Sequence, residues 1–207
     1  MRLNEARRDL YRRLAREQGY KSRAAFKLIE ANERYQFIKE GGKVVDLGSA
    51  PGGWLQVVSA LVGPRGLVVG VDLQAAKLKE KNVVFLKSDV NDPNLPSQVT
   101  KALGGKADAL LSDLSPEVSG VWELDQTTQV DLTLRALELS SSLLKPGGGA
   151  FFKLFEGERA QEVRDEFRRR FSVVRVIKPA ASRNASSELY YYCEGIRQLI
   201  ARPESSR

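Results

Sequence analysis

The distribution of hydrophobic and polar residues divides the chain into a helical beginning and a longer part in which short apolar runs alternate with helical patterns. Residues 3–17 and 22–36 carry apolar side chains at helical spacing, and Ser22 is a suitable N-cap for the second helix. Beyond them, seven runs predict strands at 43–47, 67–73, 83–89, 107–114, 149–155, 173–179 and 188–195. Helical patterns lie between these runs, at 53–62, 94–104, 126–144 and 158–170.

This alternation predicts an α/β fold in which helices cover both faces of a seven-stranded, mostly parallel sheet. The last two runs are too close in sequence for a crossover helix, so we expect an antiparallel hairpin at the sheet edge. No repeat or linker interrupts the pattern, so residues 1–207 are expected to form one domain. Within it, residues 1–40 form a basic helical N-terminal extension.

The positive charge is concentrated at the two ends of the chain. Residues 1–45 contain 12 basic and 6 acidic side chains, residues 46–158 contain 10 and 14, and residues 159–207 contain 11 and 6. Lys and Arg contacts to phosphates dominate nucleic-acid affinity, so the basic ends favour a polyanionic partner. Several arginines recur at helical spacing in the first helix, namely Arg7, Arg8, Arg12, Arg13 and Arg16.

The composition also excludes several classes of chemistry. The chain contains no histidine and one cysteine, Cys193, which rules out serine–histidine and cysteine–histidine nucleophiles and the usual zinc sites. Proton transfer must therefore use lysine, carboxylate, tyrosine or water. A single cysteine and a charged N-terminus without an apolar centre lead us to expect a cytoplasmic protein, and we expect a monomer.

The turn after the first predicted strand indicates a ligand site. Gly48, Gly52 and Gly53 permit backbone conformations and a close ligand approach that other residues prevent, and Trp54 follows them. Their spacing differs from G-x-G-x-x-G, and no P-loop lysine follows, so the turn does not favour a pyrophosphate or a nicotinamide oxidoreductase.

Acidic residues end the next two predicted strands. Asp72 is placed to accept hydrogen bonds from the two hydroxyls of an adenosine ribose. Asp89, followed by Val90, is placed to accept a hydrogen bond from an adenine amino group. Ligands of open α/β sheets bind at the carboxyl ends of the strands, so these residues predict an adenosine-like pocket there.

Five segments, in this order, resemble the RrmJ/FtsJ family of ribose 2′-O-methyltransferases: YKSRAAFKL (20–28), DLGSAPGGW (46–54), DLSP (113–116), FKLF (152–155) and SSELY (186–190). The resemblance implies a Rossmann-like methyltransferase fold with an antiparallel last strand. It also implies transfer of the methyl group of S-adenosylmethionine to a ribose 2′-hydroxyl of RNA.

The resemblance implies roles for individual residues. The family's catalytic set falls on Lys27, Asp113, Lys153 and Glu188. Its cofactor contacts fall on Gly52, Trp54, Asp72, Asp89 and Asp113. We assign Lys153 as the general base, Asp113 as its orienting partner, and Lys27 with Glu188 as supporting positioners. A lysine accepts a proton only as the neutral amine, a form favoured by partial burial and a nearby cation.

The RNA substrate stays open at this stage. Family members of this compact size resemble enzymes that act on a uridine of large-subunit ribosomal RNA, and related members modify the transfer RNA anticodon loop. A third possibility, from another class, is an RNA-binding assembly factor that keeps the fold without turnover. The intact set of four residues argues against this third possibility.

Overall fold

The computed structural model describes residues 3–76, 79–182 and 186–197. Its first part contains helices α1 (Leu3–Glu17) and α2 (Ala25–Tyr35). The remainder alternates strands and helices, in the order β1 (Lys43–Leu47), α3 (Gly53–Val62), β2 (Leu67–Asp72), β3 (Val83–Lys87), α4 (Leu95–Leu103), β4 (Ala107–Ser112), α5 (Trp122–Leu143), β5 (Leu144–Phe155), α6 (Ala160–Arg170), β6 (Phe171–Ile177) and β7 (Glu188–Ile196). No helix among the described residues is long and apolar enough to cross a membrane.

The seven strands form one sheet in the order β3-β2-β1-β4-β5-β7-β6. The neighbouring pairs from β3 to β5 are parallel, whereas β7 runs antiparallel to both β5 and β6. This confirms the predicted α/β class, the mostly parallel sheet and the antiparallel pairing of the last two strands.

The predicted hairpin lies at the sheet edge, with β6 outermost and β7 inserted between β5 and β6. Side chains on both faces of β7 are buried over residues 190–193, so this strand requires a neighbour on each side. Strand β6 exposes part of its surface, including Val176, and is suited to an edge.

Two apolar cores lie on opposite faces of the sheet. Helices α2 and α3 pack on one face, where Leu28 and Leu55 are fully buried. Helices α4, α5 and α6 pack on the other face, around residues such as Val99, Leu137 and Phe167. Strand β5 contributes to both cores because its side chains alternate between the two faces.

Strands β2, β3, β4 and β6 end slightly earlier than the sequence predicts. Strand β3 ends at Lys87 and β4 ends at Ser112, so Asp89 and Asp113 lie in the loops that follow these strands. Helix α5 begins at Trp122 rather than at residue 126. These differences leave the candidate side chains at the carboxyl edge of the sheet.

Asp46 places a carboxyl group inside the sheet. It lies on β1 between Gly70 of β2 and Leu111 of β4, is fully buried, and neither of its carboxyl oxygens has a hydrogen-bond partner. Burial, followed by repulsion from the carboxylates of Asp113 and Asp72, raises the pKa of Asp46 well above its usual range. The group therefore holds its proton at pH values where an exposed aspartate is charged.

This protonation makes the stability of the protein depend on pH. The folded protein binds the Asp46 proton more tightly than the unfolded chain, so folding is penalised as the pH rises above about 4. Relative to Asp46→Asn, the free energy of unfolding of the wild type should fall by up to ~1.4 kcal/mol per pH unit until the folded-state pKa is passed. Urea denaturation of both proteins across the neutral range measures this difference.

Asp108→Asn is a matched control, because the pKa of Asp108 is shifted in the opposite direction from that of Asp46. Burial raises the pKa of Asp108, but hydrogen bonds and charges from Lys145 and Lys43 outweigh it, so the pKa is lowered. Its stabilising effect is lost only as the pH falls through the folded-state pKa, so this variant should differ from the wild type by a constant amount above about pH 5. If the Asp46→Asn difference is equally constant there, the buried-acid interpretation is wrong.

Candidate active site

A cavity of about 460 Å³ opens at the carboxyl ends of β1, β2, β3 and β4. Five predicted cofactor residues line it: Gly48, Asp72, Asp89, Val90 and Asp113. Gly48 has a positive φ of 78°, and a Cβ atom there would lie 2.8 Å from the main-chain nitrogen of Leu114. Because Gly48 has no side chain, the loop after β1 and the loop after β4 can lie close to each other at the cavity wall.

The carboxylate of Asp72 is held at the edge of the cavity by hydrogen bonds from the main chain. Its Oδ2 accepts a hydrogen bond from the main-chain N–H of Ala50 at 2.9 Å, and its Oδ1 accepts one from that of Gln74 at 2.8 Å. Each carboxylate oxygen has two lone pairs, so the group retains acceptor capacity for ligand hydroxyls. Asp89 is held similarly, because its Oδ1 accepts from the main-chain N–H of Asn91 at 2.8 Å.

The other three predicted cofactor residues, Gly52, Gly53 and Trp54, lie outside the lining of this cavity. Gly53 packs against the segment that leads into α2. A Cβ atom added at Gly53 would lie 2.3 Å from the Ser22 hydroxyl oxygen. Trp54 is buried, and its indole N–H donates to the carbonyl of Ala24 at 2.7 Å. Gly53 and Trp54 thus support the site from behind the cavity wall. Contact of Gly52, Gly53 and Trp54 with a cofactor stays a prediction.

Lys153 and Asp113 meet beside the cavity, at the ends of β5 and β4. The Lys153 ammonium lies 3.1 Å from Asp113 Oδ1 and donates to the Asp113 main-chain carbonyl at 2.7 Å. Only 4% of Lys153 is exposed. Its own carbonyl accepts a hydrogen bond from the Thr133 hydroxyl of α5 at 2.9 Å, which fixes the strand at this residue.

Lys27 and Glu188 extend the same cluster from α2 and β7. Lys27 Nζ donates to Glu188 Oε1 at 2.5 Å and to the Tyr190 hydroxyl at 3.0 Å. The Tyr190 hydroxyl donates in turn to Asp113 Oδ1 at 2.8 Å. The structure therefore brings together all four residues of the predicted catalytic set, with Tyr190 as the connection between them.

Tyr190 and Ser182 are members of this cluster that sequence reasoning missed. The Ser182 hydroxyl donates to Glu188 Oε1 at 2.9 Å. Tyr190 also stacks on Phe151, with ring centroids 5.0 Å apart. The available signal was the strand alternation, which puts Tyr190 on the same face as Lys153, its cross-strand partner.

The charges in this cluster balance each other locally. Burial raises the pKa of Asp113, but the positive charges of Lys153 and Lys27, with hydrogen bonds from Tyr190 and Lys153, outweigh it and lower the pKa. Burial and the negative charges of Asp113 and Glu188 raise the pKa of Tyr190 well above its usual range. Asp113 is therefore an anion and Tyr190 a neutral hydroxyl at physiological pH.

This arrangement can hold a hydroxyl-bearing substrate next to a ligand in the cavity. Asp113 belongs to both parts, because it lines the cavity and contacts the Lys153 amine. The cluster thus places the carboxylate of Asp113 close to the amines of Lys153 and Lys27. This arrangement suits the positioning and deprotonation of a weak nucleophile.

The chain is similar in sequence to known methyltransferases. The sequence model of the FtsJ-like methyltransferase family matches residues 20–196. A protein of Cenarchaeum symbiosum called Ribosomal RNA large subunit methyltransferase E is 46% identical over 197 residues, covering 95% of this chain and 100% of that protein. A protein of the same name from Nitrosopumilus maritimus is 43% identical over 195 residues, covering 94% and 98%.

A solved structure is similar as well. A Plasmodium falciparum protein described as a putative ribosomal RNA methyltransferase superimposes with a TM-score of 0.77 at 25% identity, covering 86% of this chain and 98% of that one. The predicted family resemblance is confirmed over nearly the whole described chain: this protein belongs to the FtsJ-like methyltransferase family.

Proposed function

We propose that this protein transfers the methyl group of S-adenosylmethionine to a ribose 2′-hydroxyl of RNA, within large-subunit ribosomal RNA. The observation that carries the proposal is the buried cluster of Lys27, Glu188, Tyr190, Asp113 and Lys153, which adjoins a ligand cavity through Asp113. The names of the relatives support ribosomal RNA as the substrate class.

The cavity residues suit S-adenosylmethionine. Asp72 keeps acceptor capacity for the ribose hydroxyls of the adenosine part. Asp89 and Val90 line the same cavity, and we assign them to the adenine. When bound, the cofactor supplies a methyl group on a positively charged sulfur, which is already activated toward a nucleophile. Asp113, a carboxylate on the cavity wall, adds an attractive charge for this cation.

The protein's own residues then have two tasks. Asp113 and Lys153 hold the 2′-hydroxyl in line with the methyl group, because their side chains are fixed by the Tyr190 hydrogen bond and by burial. As the oxygen–carbon bond forms and the methyl–sulfur bond breaks, the proton of the hydroxyl passes to Lys153, whose own ammonium proton must be lost before this step, as it must from any lysine that serves as a base. Lys27 and Glu188 hold Tyr190 and the approaching ribose without taking part in the proton transfer.

RNA would approach along the basic extension, residues 1–40. Helix α1 exposes Arg12, Arg13 and Arg16, and α2 carries Lys27 into the cluster from the same part of the chain. Phosphate contacts by such residues position RNA without reading its sequence. The charge distribution therefore directs the RNA backbone toward the catalytic cluster.

Substitution of Lys153 tests the mechanism. Lys153→Ala should lower the rate of methyl transfer by ~10²–10⁴-fold, the usual cost of removing a positioned general base. Lys153→Arg should be almost as slow, because a guanidinium keeps the charge and does not accept a proton. Single-turnover transfer of a labelled methyl group to RNA measures the rate.

Lys145→Ala is the matched control, since Lys145 lies on the same strand but pairs with Asp108 on the surface. It should leave the rate unchanged, and S-adenosylmethionine affinity should be near normal in all three variants. Near-normal turnover of Lys153→Arg would show that the residue acts by charge alone and would contradict its assignment as a base.

Removal of Asp72 tests the cofactor position. Asp72→Ala should weaken S-adenosylmethionine binding by ~10- to 150-fold, since a charged acceptor contributes ~1.5–3 kcal/mol. Isothermal calorimetry measures the affinity. Asp131→Ala, which removes a surface carboxylate paired with Arg159, should bind the cofactor as the wild type does. If the Asp72 variant and the wild type bind S-adenosylmethionine with equal affinity, the adenosine does not bind at Asp72.

Charge reversal on α1 tests the RNA surface. The double variant Arg12→Glu/Arg16→Glu should bind RNA at least about tenfold more weakly, with a shallower salt dependence and unchanged cofactor affinity. Filter binding over a range of salt concentrations gives both quantities. Arg65→Glu, an exposed arginine paired with Glu40, is the control. If the α1 variant and the control lose affinity equally, α1 does not contact the RNA.

A further inference from the structure

Four exposed apolar side chains lie together in sequence between β4 and the first turn of α5. They are Val118, Val121, Trp122 and Leu124, and we call them the apolar cluster; their exposed fractions are 81%, 55%, 46% and 56%. Contiguous exposed apolar side chains on an ordered surface mark a binding site more often than a structural need. The catalytic residues assigned above do not include any of them.

Hydrogen bonds hold the apolar cluster in place. Asp125 is buried, and its Oδ1 accepts from the main-chain N–H of Ser119 at 2.9 Å and from its hydroxyl at 2.7 Å. The Ser119 hydroxyl oxygen also accepts from the main-chain N–H of Val121 at 3.1 Å. The indole of Trp122 stacks on Phe155 at the end of β5, with ring centroids 6.0 Å apart and an interplanar angle of 18°. The exposed surface is therefore a fixed feature of the fold.

The apolar cluster borders a second cavity, of about 480 Å³, whose wall includes a member of the catalytic set. Val118, Trp122 and Phe155 line its apolar side, and Glu188 and Arg23 line its polar side. Glu188 contacts Lys27 and thereby joins this cavity to the catalytic cluster. Two cavities thus flank the cluster, one touching Asp113 and the other touching Glu188.

The geometry of a ribonucleotide limits what the second cavity can hold. In a ribose, the base is attached to the carbon next to the one that bears the 2′-hydroxyl. When that hydroxyl lies at Asp113 and Lys153, the base must lie in a space immediately adjacent to the catalytic cluster. The cavity at Asp113 is needed for the cofactor, and the cavity at Glu188 and Trp122 is the other space that adjoins the cluster in the described part of the chain.

We propose, on the basis of the proposed function, that this second cavity binds the base of the target nucleotide and that Trp122 is its stacking platform. Aromatic side chains are the usual platforms for unstacked RNA bases, and they accept any base because each has a π face. Val118 and Phe155 supply the rest of the apolar wall around the base, while Glu188 and Arg23 place polar groups at the ribose side. The target nucleotide is thus turned out of its RNA stack when it is methylated.

An RNA that lacks only the target base tests this assignment. The substrate is the RNA methylated by the wild type, and its partner carries an abasic ribose, with its 2′-hydroxyl, at the methylated position. Trp122→Ala should lower kcat/KM on the complete RNA by ~5- to 150-fold, the range for loss of one base–aromatic stack. On the abasic RNA, Trp122→Ala and the wild type should be equally slow.

Two further variants complete the experiment. Trp122→Phe keeps an aromatic face and should recover most of the activity on the complete RNA, whereas Val176→Ala, an exposed apolar residue on β6, should behave as the wild type. An equal loss on the complete and abasic RNAs would overturn the inference and favour a docking surface for a protein partner or a structural role. Unchanged activity of Trp122→Ala would overturn it too. If the wild type methylates no RNA, the proposed function itself fails.

Tryptophan fluorescence of the wild type gives a test that does not depend on the folding of a variant. The chain has two tryptophans, and Trp54 is only 3% exposed, so changes on RNA binding report mainly on Trp122. The complete RNA should quench the emission, and the abasic RNA should quench it much less at equal saturation. Equal quenching by both RNAs would place the base away from Trp122.

Discussion

The carboxylate of Asp113 is the interaction on which the site depends. Lys153 approaches it directly at 3.1 Å, and Lys27 is connected to it through the Tyr190 hydroxyl. Two amines that are each about 95% buried would be costly without a negative charge between them, and Glu188 supplies the second charge. Removing Asp113 would leave the buried Lys153 cation without its partner, so the position of this lysine depends on that one group.

The fold explains how four distant segments reach that carboxylate. Asp113 follows β4, Lys153 lies near the end of the buried part of β5, and the antiparallel register of β7 sets Tyr190 opposite Lys153. Helix α2 then crosses the same face of the sheet and brings Lys27 to Glu188. Inserting β7 between β5 and β6 is therefore a requirement of the site, because an edge position would take Tyr190 and Glu188 away from Lys153.

Much of this architecture could be predicted from the sequence, since periodicity alone gives the strand and helix positions to within a few residues. The catalytic set could be identified only through the family resemblance. No local sequence feature shows that a lysine on a basic helix, such as Lys27, is buried. The hydroxyl of Tyr190 could not be assigned, since its role depends on a cross-strand register and on Lys27, 163 residues away in the chain. The insertion of β7 was missed for the same reason: strand order is a property of tertiary packing.

The central claim is that the cluster directs a methyl group to a ribose oxygen, and the chemical position of the methyl tests it most directly. Purified protein, labelled S-adenosylmethionine and large-subunit ribosomal RNA are combined, and the RNA is then digested with alkali. Alkaline cleavage requires a free 2′-hydroxyl, so a 2′-O-methylated nucleotide stays joined to its neighbour and the label appears in a dinucleotide. Label recovered in single nucleotides would place the methyl on a base and contradict the account.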